Sequence, residues 1–136
     1  MSLFDLDLEK VEEVQDFGAC KPAPARVRVT DINEAVSKAG NPGLKIQYDL
    51  VSTDGLEALD GKSKISTKLG DWMSLTAPAL PFFRRFVEAF GISWEAFKQN
   101  RDIQQFKGME ADVMLGLNDD RTRNEISKYI VHKVTA

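Results

Sequence analysis

Alternating apolar and polar residues predict three β-strands in the first half of the chain. Val27 and Val29 alternate with Arg26 and Arg28, which is the period of a half-buried strand. The turn-forming residues Gly40-Asn-Pro-Gly43 separate this stretch from the next one, so the first two strands are expected to form a hairpin. The three predicted strands cover residues 25–37, 44–53 and 62–75.

The period changes from strand-like to helix-like after the third strand. Apolar residues from Leu80 to Phe90 recur at helical spacing and predict an amphipathic helix over residues 78–90. Ser93 is a suitable N-cap for a second helix that carries Trp94 and Phe97. Two more strand-like stretches complete the pattern, with Asp119-Asp120 as the turn between them, and cover residues 108–118 and 122–134.

This order of elements predicts a mainly β fold. The succession β-β-β-α-(α)-β-β is that of a five-stranded OB-fold barrel with a helix between strands 3 and 4. An acidic segment precedes the barrel, since residues 1–16 carry six acids and one lysine, a net charge of −5 in a chain whose total is −3. The sequence therefore predicts an acidic N-terminal leader, residues 1–24, and an OB-fold domain, residues 25–136.

Side chains alternate between the two faces of a strand, so parity separates core residues from surface residues. On strand 2, for example, Leu44, Ile46 and Tyr48 share the core parity, whereas Lys45 and Gln47 have the outward parity. Neighbouring strands are expected to bring the outward residues of strands 1–3 into one patch. These residues are Arg26, Arg28, Lys45, Gln47, Lys62, Lys64, Lys68 and Trp72.

The composition of this patch predicts single-stranded nucleic acid as the ligand. An OB barrel binds oligonucleotides or oligosaccharides on strands 2 and 3 and through nearby loops. Cations neutralise phosphates and release counterions, and a base stacked on an aromatic ring contributes about 1–3 kcal/mol. Arg121 and Arg123 in the strand 4–5 turn are secondary candidates, because that loop can clamp a ligand. Glu110 and Asp112 on strand 4 would direct a polyanion toward strands 2 and 3.

Two features of the patch have a second interpretation. Exposed lysines on a strand are equally well explained as a solvated surface that blocks aggregation. Trp72 is compatible with a core position as well as with a surface platform, since a bulge at Gly70 would reverse its face. In the helix, four phenylalanines are expected to pack in the core: Phe82, Phe83, Phe86 and Phe90.

The sequence predicts a binding module and not an enzyme. The chain has one histidine, His132, and one cysteine, Cys20, so it contains neither a zinc-type pair nor an adjacent nucleophile and base. It has no glycine-rich phosphate-binding motif. The acidic run Asp5-x-Asp7-x-Glu9 is better explained as a polar face of the leader than as a metal cluster. We therefore expect no metal and no cofactor.

Further patterns predict a soluble, cytoplasmic protein. A single cysteine cannot form an internal disulfide, which is typical of a reducing compartment. The first residues are acidic where a signal peptide would be basic. The longest uncharged run, residues 72–83, is too short to span a bilayer and contains two prolines, so no membrane segment is expected.

Several motifs are shared with one family of proteins. They are Phe4–Val14 in the leader, the hairpin over residues 27–53 with Ser37-Lys-Ala-Gly-Asn-Pro-Gly43 at its tip, Glu88-Ala-Phe-Gly91, Phe106-Lys-Gly108 and Arg123-Asn-Glu-Ile-Ser-Lys-Tyr129. With these motifs the chain resembles the single-stranded-DNA-binding proteins of bacteriophage replication and recombination modules. It departs from that pattern at its C-terminus, because many members have an acidic tail where this chain has Ile130-Val-His-Lys-Val-Thr-Ala136.

The resemblance implies an OB fold that binds single-stranded DNA without strong sequence preference. It also implies action beside a recombinase, polymerase or nuclease in the host cell cytoplasm. The open edges of such a barrel are compatible with a homodimer. The alternative function is a non-catalytic structural or adaptor β-barrel protein that binds a protein or sugar partner, because the chain beyond the leader is only weakly basic.

Overall fold

An antiparallel five-stranded sheet forms the body of the protein in a computed structural model that describes residues 17–132. The strands in chain order are β1 (Phe17–Gly18), β2 (Ala23–Val36), β3 (Pro42–Leu50), β4 (Lys64–Ile65), β5 (Lys68–Ser74), β6 (Glu110–Leu117) and β7 (Asn124–Tyr129). Five of them form the sheet, in the order β5-β3-β2-β6-β7, and β1 pairs in parallel with β4 outside that sheet. The predicted acidic residues of the leader lie outside the described residues.

The long strand β2 holds the two halves of the sheet together. It pairs with β6 from Ala23 to Arg28 and with β3 from Val27 to Val36, so the two ladders overlap at Val27 and Arg28. A register shift between Val29 and Asp31 interrupts the β2–β3 ladder. Because a bulge bends a strand and increases its twist, this shift curls the sheet into a half-barrel.

The helical segment lies between β5 and β6, as the sequence predicts. It consists of a 3-10 turn (Ala77–Ala79), α1 (Leu80–Ala89), α2 (Trp94–Gln99) and a second 3-10 turn (Ile103–Phe106). The Ser93 hydroxyl accepts a hydrogen bond from the Ala96 amide at 3.1 Å and caps α2 as expected. A mainly β fold with helices between its third and fourth long strands is therefore confirmed.

The core lies between α1 and the concave side of the sheet. Phe83, Phe86 and Val87 of α1 are buried, and Phe86 packs edge-on against the ring of Tyr129 at 5.4 Å between centroids. The predicted core parity of β3 is confirmed, since Ile46 and Tyr48 are buried. Burial of these apolar and aromatic faces is the main force that closes the helix onto the sheet.

The two edge strands of the sheet, β5 and β7, do not pair with each other in the described residues 17–132. Their side chains join them instead. The Tyr129 hydroxyl donates to the Asp71 carboxylate at 2.6 Å and lies 2.6 Å from the Tyr48 hydroxyl. Loss of hydration raises the pKa of the half-buried Asp71 carboxylate. It is also the largest cause of the raised pKa of the Tyr129 hydroxyl. The open side of the half-barrel is thus closed by a hydrogen-bonded chain of two buried tyrosines and the half-buried Asp71.

The third predicted strand is not continuous. It is divided into β4 and β5, and β4 pairs with β1 instead of extending the main sheet. Lys62 lies before β4 in a turn, where the Asp60 carboxylate accepts the backbone amides of Lys62 and Ser63 at 2.8 Å each. Hydrogen bonds from Ser63 and from these amides lower the pKa of Asp60 to about 2. The Asp60-Gly61 turn therefore extends two residues further into the predicted strand than its sequence suggests.

Phe82 is a correction to the predicted core, because its side chain is 68% exposed. The buried residues of α1 occupy one stripe at the helical period, and Phe82 lies about 100° away from Phe83 on the helix surface. The apolar run Leu80–Phe83 is therefore broader than the face that the sheet can cover.

Residues 17–24 of the predicted leader are part of the folded body. Cys20 is completely buried in the core. The Asn124 side chain accepts from the Cys20 amide at 2.8 Å and donates to the Cys20 carbonyl at 3.0 Å, as a neighbouring strand would. None of the helices within residues 17–132 is long and apolar enough to cross a membrane.

Candidate nucleic-acid interface

An open groove of about 700 Å³ runs along the outward residues of β3 and β5. The loop over residues 118–123 and the start of β7 form its second wall. Half of the site residues that the sequence predicts line this groove: Lys45, Gln47, Lys68, Trp72 and Arg123. The structure therefore brings together the second and third strands of the sheet with the loop between its last two strands.

The indole of Trp72 is a surface platform and not a core residue. Its side chain is 43% exposed, and it pairs with Lys45 across the β3–β5 ladder. The ring lies against β3 at Gly43, where a Cβ atom would be 2.3 Å from Cζ2 of the indole. Gly43 has no positive φ, so the indole, and not the backbone conformation, requires a glycine here. Gly43 was not among the predicted site residues, although its outward parity with Lys45 is a usable signal.

Gly43→Ala is expected to displace the indole and weaken ligand binding, because a methyl group cannot fit beneath the ring. The shift of the ring should change tryptophan emission, and affinity for oligo-dT should fall by less than in a variant without the ring. Gly70→Ala is the matched control, since its Cβ would meet only the Ile46 carbonyl at 3.9 Å. Equal affinities for the two variants would show that Gly43 does not position Trp72.

The loop over residues 118–123 is shaped by its own side-chain hydrogen bonds. The side-chain oxygen Oδ1 of Asn118 accepts from the backbone amides of Thr122 and Arg123 at 2.9 and 3.0 Å. Its amide nitrogen donates to the Thr122 hydroxyl at 3.1 Å. Arg121 has a positive φ of 57° at the tip. These contacts direct Arg123 to the groove, whereas Arg121 does not line it.

The predicted arginines of β2 are engaged by the acids of β6. Arg26 donates to Glu110 at 2.9 Å and to Asp112 at 3.1 Å, and Arg28 donates to Glu110 at 2.7 Å. Hydrogen bonds from Arg28 and Arg26 lower the pKa of Glu110. Both arginines therefore lie outside the groove and are paired with carboxylates, and the binding role that the sequence predicts for them stays a prediction.

The lysines of the patch fall into different groups. Lys68 pairs with Asp49 at 2.6 Å on the groove wall. Lys62 and Lys64 do not line the groove, since they precede β5 in the turn and in β4. Alternation along the predicted strand 3 placed Lys62 and Lys64 on the same face as Lys68 and Trp72. The break between β4 and β5 separates the two lysines from that face. Lys45 remains opposite the indole and has no ion-pair partner within residues 17–132.

The groove has mixed charge. Two cations of the groove, Lys45 and Arg123, form no ion pair with any residue that the structure describes. The carboxylates of Asp71 and Glu125 lie on the same surface. The negative charge of Glu125 contributes to the raised pKa of Asp71. An exposed aromatic ring in one groove with two cations can stack a flat ring and neutralise an anion attached to it.

His132 and Cys20 serve contacts within the fold. His132 Nε2 lies 2.6 Å from the Asp112 carboxylate, and the Cys20 thiol is buried, which raises its pKa. Within residues 17–132, no group of three histidine, cysteine, aspartate or glutamate side chains is arranged to hold a metal ion.

No protein-family model matches the chain, and no curated protein matches it either.

Proposed function

We propose that the protein binds single-stranded DNA without strong sequence preference in the groove between β3, β5 and the loop over residues 118–123. The observation that supports this most is the exposed indole of Trp72 beside Lys45. Every base has a π-face, so a stacking plate binds bases with little dependence on their identity. The nearby cations then neutralise the phosphates between stacked bases.

The strand order supports an OB barrel as the detailed fold. β2, β3 and β5 form a meander, and β6 and β7 add to the free edge of β2. In an OB fold the ligand binds on the second and third strands and beneath the loop between the fourth and fifth. The groove occupies this position, because β3 and β5 are the second and third long strands and residues 118–123 join β6 to β7.

The resemblance to phage proteins supplies the proposed setting. We infer a role in phage replication or recombination, in the host cell cytoplasm and beside a recombinase, polymerase or nuclease. The motifs that carry the resemblance include the hairpin tip that ends at Gly43, on which the Trp72 indole packs. The outer edges of the sheet are the surfaces on which a homodimer would form.

Titration with oligo-dT is expected to quench tryptophan emission, and the affinity should fall with salt. About two phosphates are expected to pair with Lys45 and Arg123, which gives a slope of about −1.4 for log K against log salt concentration. A Trp94→Phe variant assigns the quenching to Trp72, because Trp94 packs against Phe83 and Phe97 instead of lining the groove. Constant emission and an unchanged gel mobility at low salt would exclude the proposed function.

The second candidate function is a non-catalytic adaptor that binds a sugar or a protein. It is favoured by the carboxylates of Asp71 and Glu125, which lie in the groove with Trp72 and can accept hydrogen bonds from sugar hydroxyls. Neutral ligands release no counterions, so binding of this kind should be insensitive to salt. The same titration with an oligosaccharide therefore separates the two candidates.

A further inference from the structure

A second exposed aromatic side chain lies next to the groove. Phe17 is 67% exposed and lines a smaller cavity of about 200 Å³. This cavity and the groove share four lining residues, so the two form one continuous surface: Lys68, Leu69, Arg123 and Asn124. Trp72 lies in the larger cavity and Phe17 in the smaller one, with Lys68 and Arg123 in both.

The backbone holds Phe17 in a defined place. Its strand β1 pairs with β4, and the carbonyl of Gly18 accepts from the Ser66 amide at 3.0 Å. The next carbonyl, of Ala19, accepts from the Leu59 amide at 2.9 Å. The ring therefore presents an exposed aromatic face within the smaller cavity, from a backbone segment that is hydrogen-bonded to the rest of the fold.

Phe17 also has a lysine opposite it in the strand ladder. Its register partner in the parallel β1–β4 ladder is Lys64, which forms no ion pair within residues 17–132. The pair repeats the combination in the groove, where Trp72 is the register partner of Lys45. An aromatic ring with a cation opposite it in a strand ladder can stack a base and neutralise its phosphate.

We propose that Phe17 and Lys64 form a second base-stacking site, which continues the path of a single-stranded nucleic acid from Trp72 past Lys68 and Arg123. This inference rests on the proposed function, because it extends the same ligand. It assigns a role to Lys64, which the sequence predicts as a binding residue but which lies outside the groove. The number of nucleotides that the protein binds then depends on both cavities.

The test compares Phe17→Ala in the full-length chain with the unchanged protein and with Phe82→Ala. Phe82 is the matched control, because it is a phenylalanine of almost equal exposure on α1, outside both cavities. Affinity is measured for oligo-dT of about 4, 8 and 16 nucleotides, which covers the site sizes of one OB fold. Phe17→Ala should lose about fivefold or more in affinity for the longest strand and little for the shortest.

Three outcomes overturn this inference. In the first, Phe17→Ala binds the longest strand as tightly as Phe82→Ala does. In the second, Phe17→Ala loses the same affinity for strands of every length, which would place its effect in the groove or in the fold. If alanine unfolds the chain, Phe17→Leu keeps the apolar volume without an aromatic face, and unchanged affinity for the longest strand again contradicts the proposal. Failure of the unchanged protein to bind even the shortest strand would instead remove the proposed function itself.

Discussion

Trp72→Ala is expected to weaken binding of single-stranded DNA by about 1–3 kcal/mol, or about 5- to 150-fold in affinity. The indole is the largest exposed aromatic group in the groove, and Lys45 lies opposite it in the ladder. Removal of the ring deletes the stacking surface for one base while the cations and their salt dependence remain. Fluorescence anisotropy of labelled oligo-dT measures the loss, because this signal does not depend on tryptophan emission.

The control for this prediction separates stacking from folding. Trp72→Leu keeps an apolar side chain against Gly43 but has no aromatic face, so it should lose nearly as much affinity as the alanine variant while it retains more stability. Chemical denaturation of each variant gives its free energy of unfolding. Wild-type affinity in a correctly folded Trp72→Leu protein would mean that the indole does not stack a base.

Local periodicity predicted most of the fold. Alternation identified the buried face of β3 and that of β2 as far as Val29, because side chains alternate between the two faces of a strand. Beyond the register shift at Val29 the parity of β2 reverses, and Ile32 is buried. The helical spacing in α1 likewise identified Phe83, Phe86 and Phe90 as core residues. Phe82 was assigned wrongly, since the sequence shows an apolar residue but not the width of the surface that will cover it.

Contacts between distant parts of the chain were less predictable. Arg26 and Glu110 are separated by 84 residues, and parity placed each of them outward without showing that they would pair. After the break in the third predicted strand, β4 pairs with β1, a two-residue strand that no pattern in the sequence separates from the leader. The pairing of Arg26 with Glu110 and of β4 with β1 decides which of the predicted cations are available to a ligand.

The groove itself was partly predictable. Lys45, Gln47 and Trp72 followed from the parity of two adjacent strands, which the ladder between β3 and β5 bears out. Arg123 could be named only as a loop candidate, because its position depends on how Asn118 folds the turn. Gly43 and Phe17 were missed, since a glycine beside a turn and an aromatic residue in an acidic leader have obvious local explanations.

Tyr129→Ala is expected to give the largest loss of stability, with about 3–5 kcal/mol from the missing ring alone. The ring is buried against Phe86, and its hydroxyl connects Tyr48 to Asp71. Its carbonyl also accepts from Arg85 Nε at 3.1 Å, a contact that alanine preserves. Because β5 and β7 are joined through this side chain, the variant should also widen the groove and weaken binding of oligo-dT.

Tyr129→Phe isolates the contribution of the hydroxyl group. This variant keeps the contact with Phe86 but leaves the Tyr48 hydroxyl and the Asp71 carboxylate without their partner, which should cost about 1–3 kcal/mol. Lys128→Ala is the matched control, since Lys128 precedes Tyr129 on β7 and is exposed. Urea denaturation should order the free energies of unfolding as Lys128→Ala, Tyr129→Phe and then Tyr129→Ala, from the highest to the lowest. If Tyr129→Phe were as stable as Lys128→Ala, the hydroxyl chain would not close the half-barrel, and packing on Phe86 alone would hold its edges together.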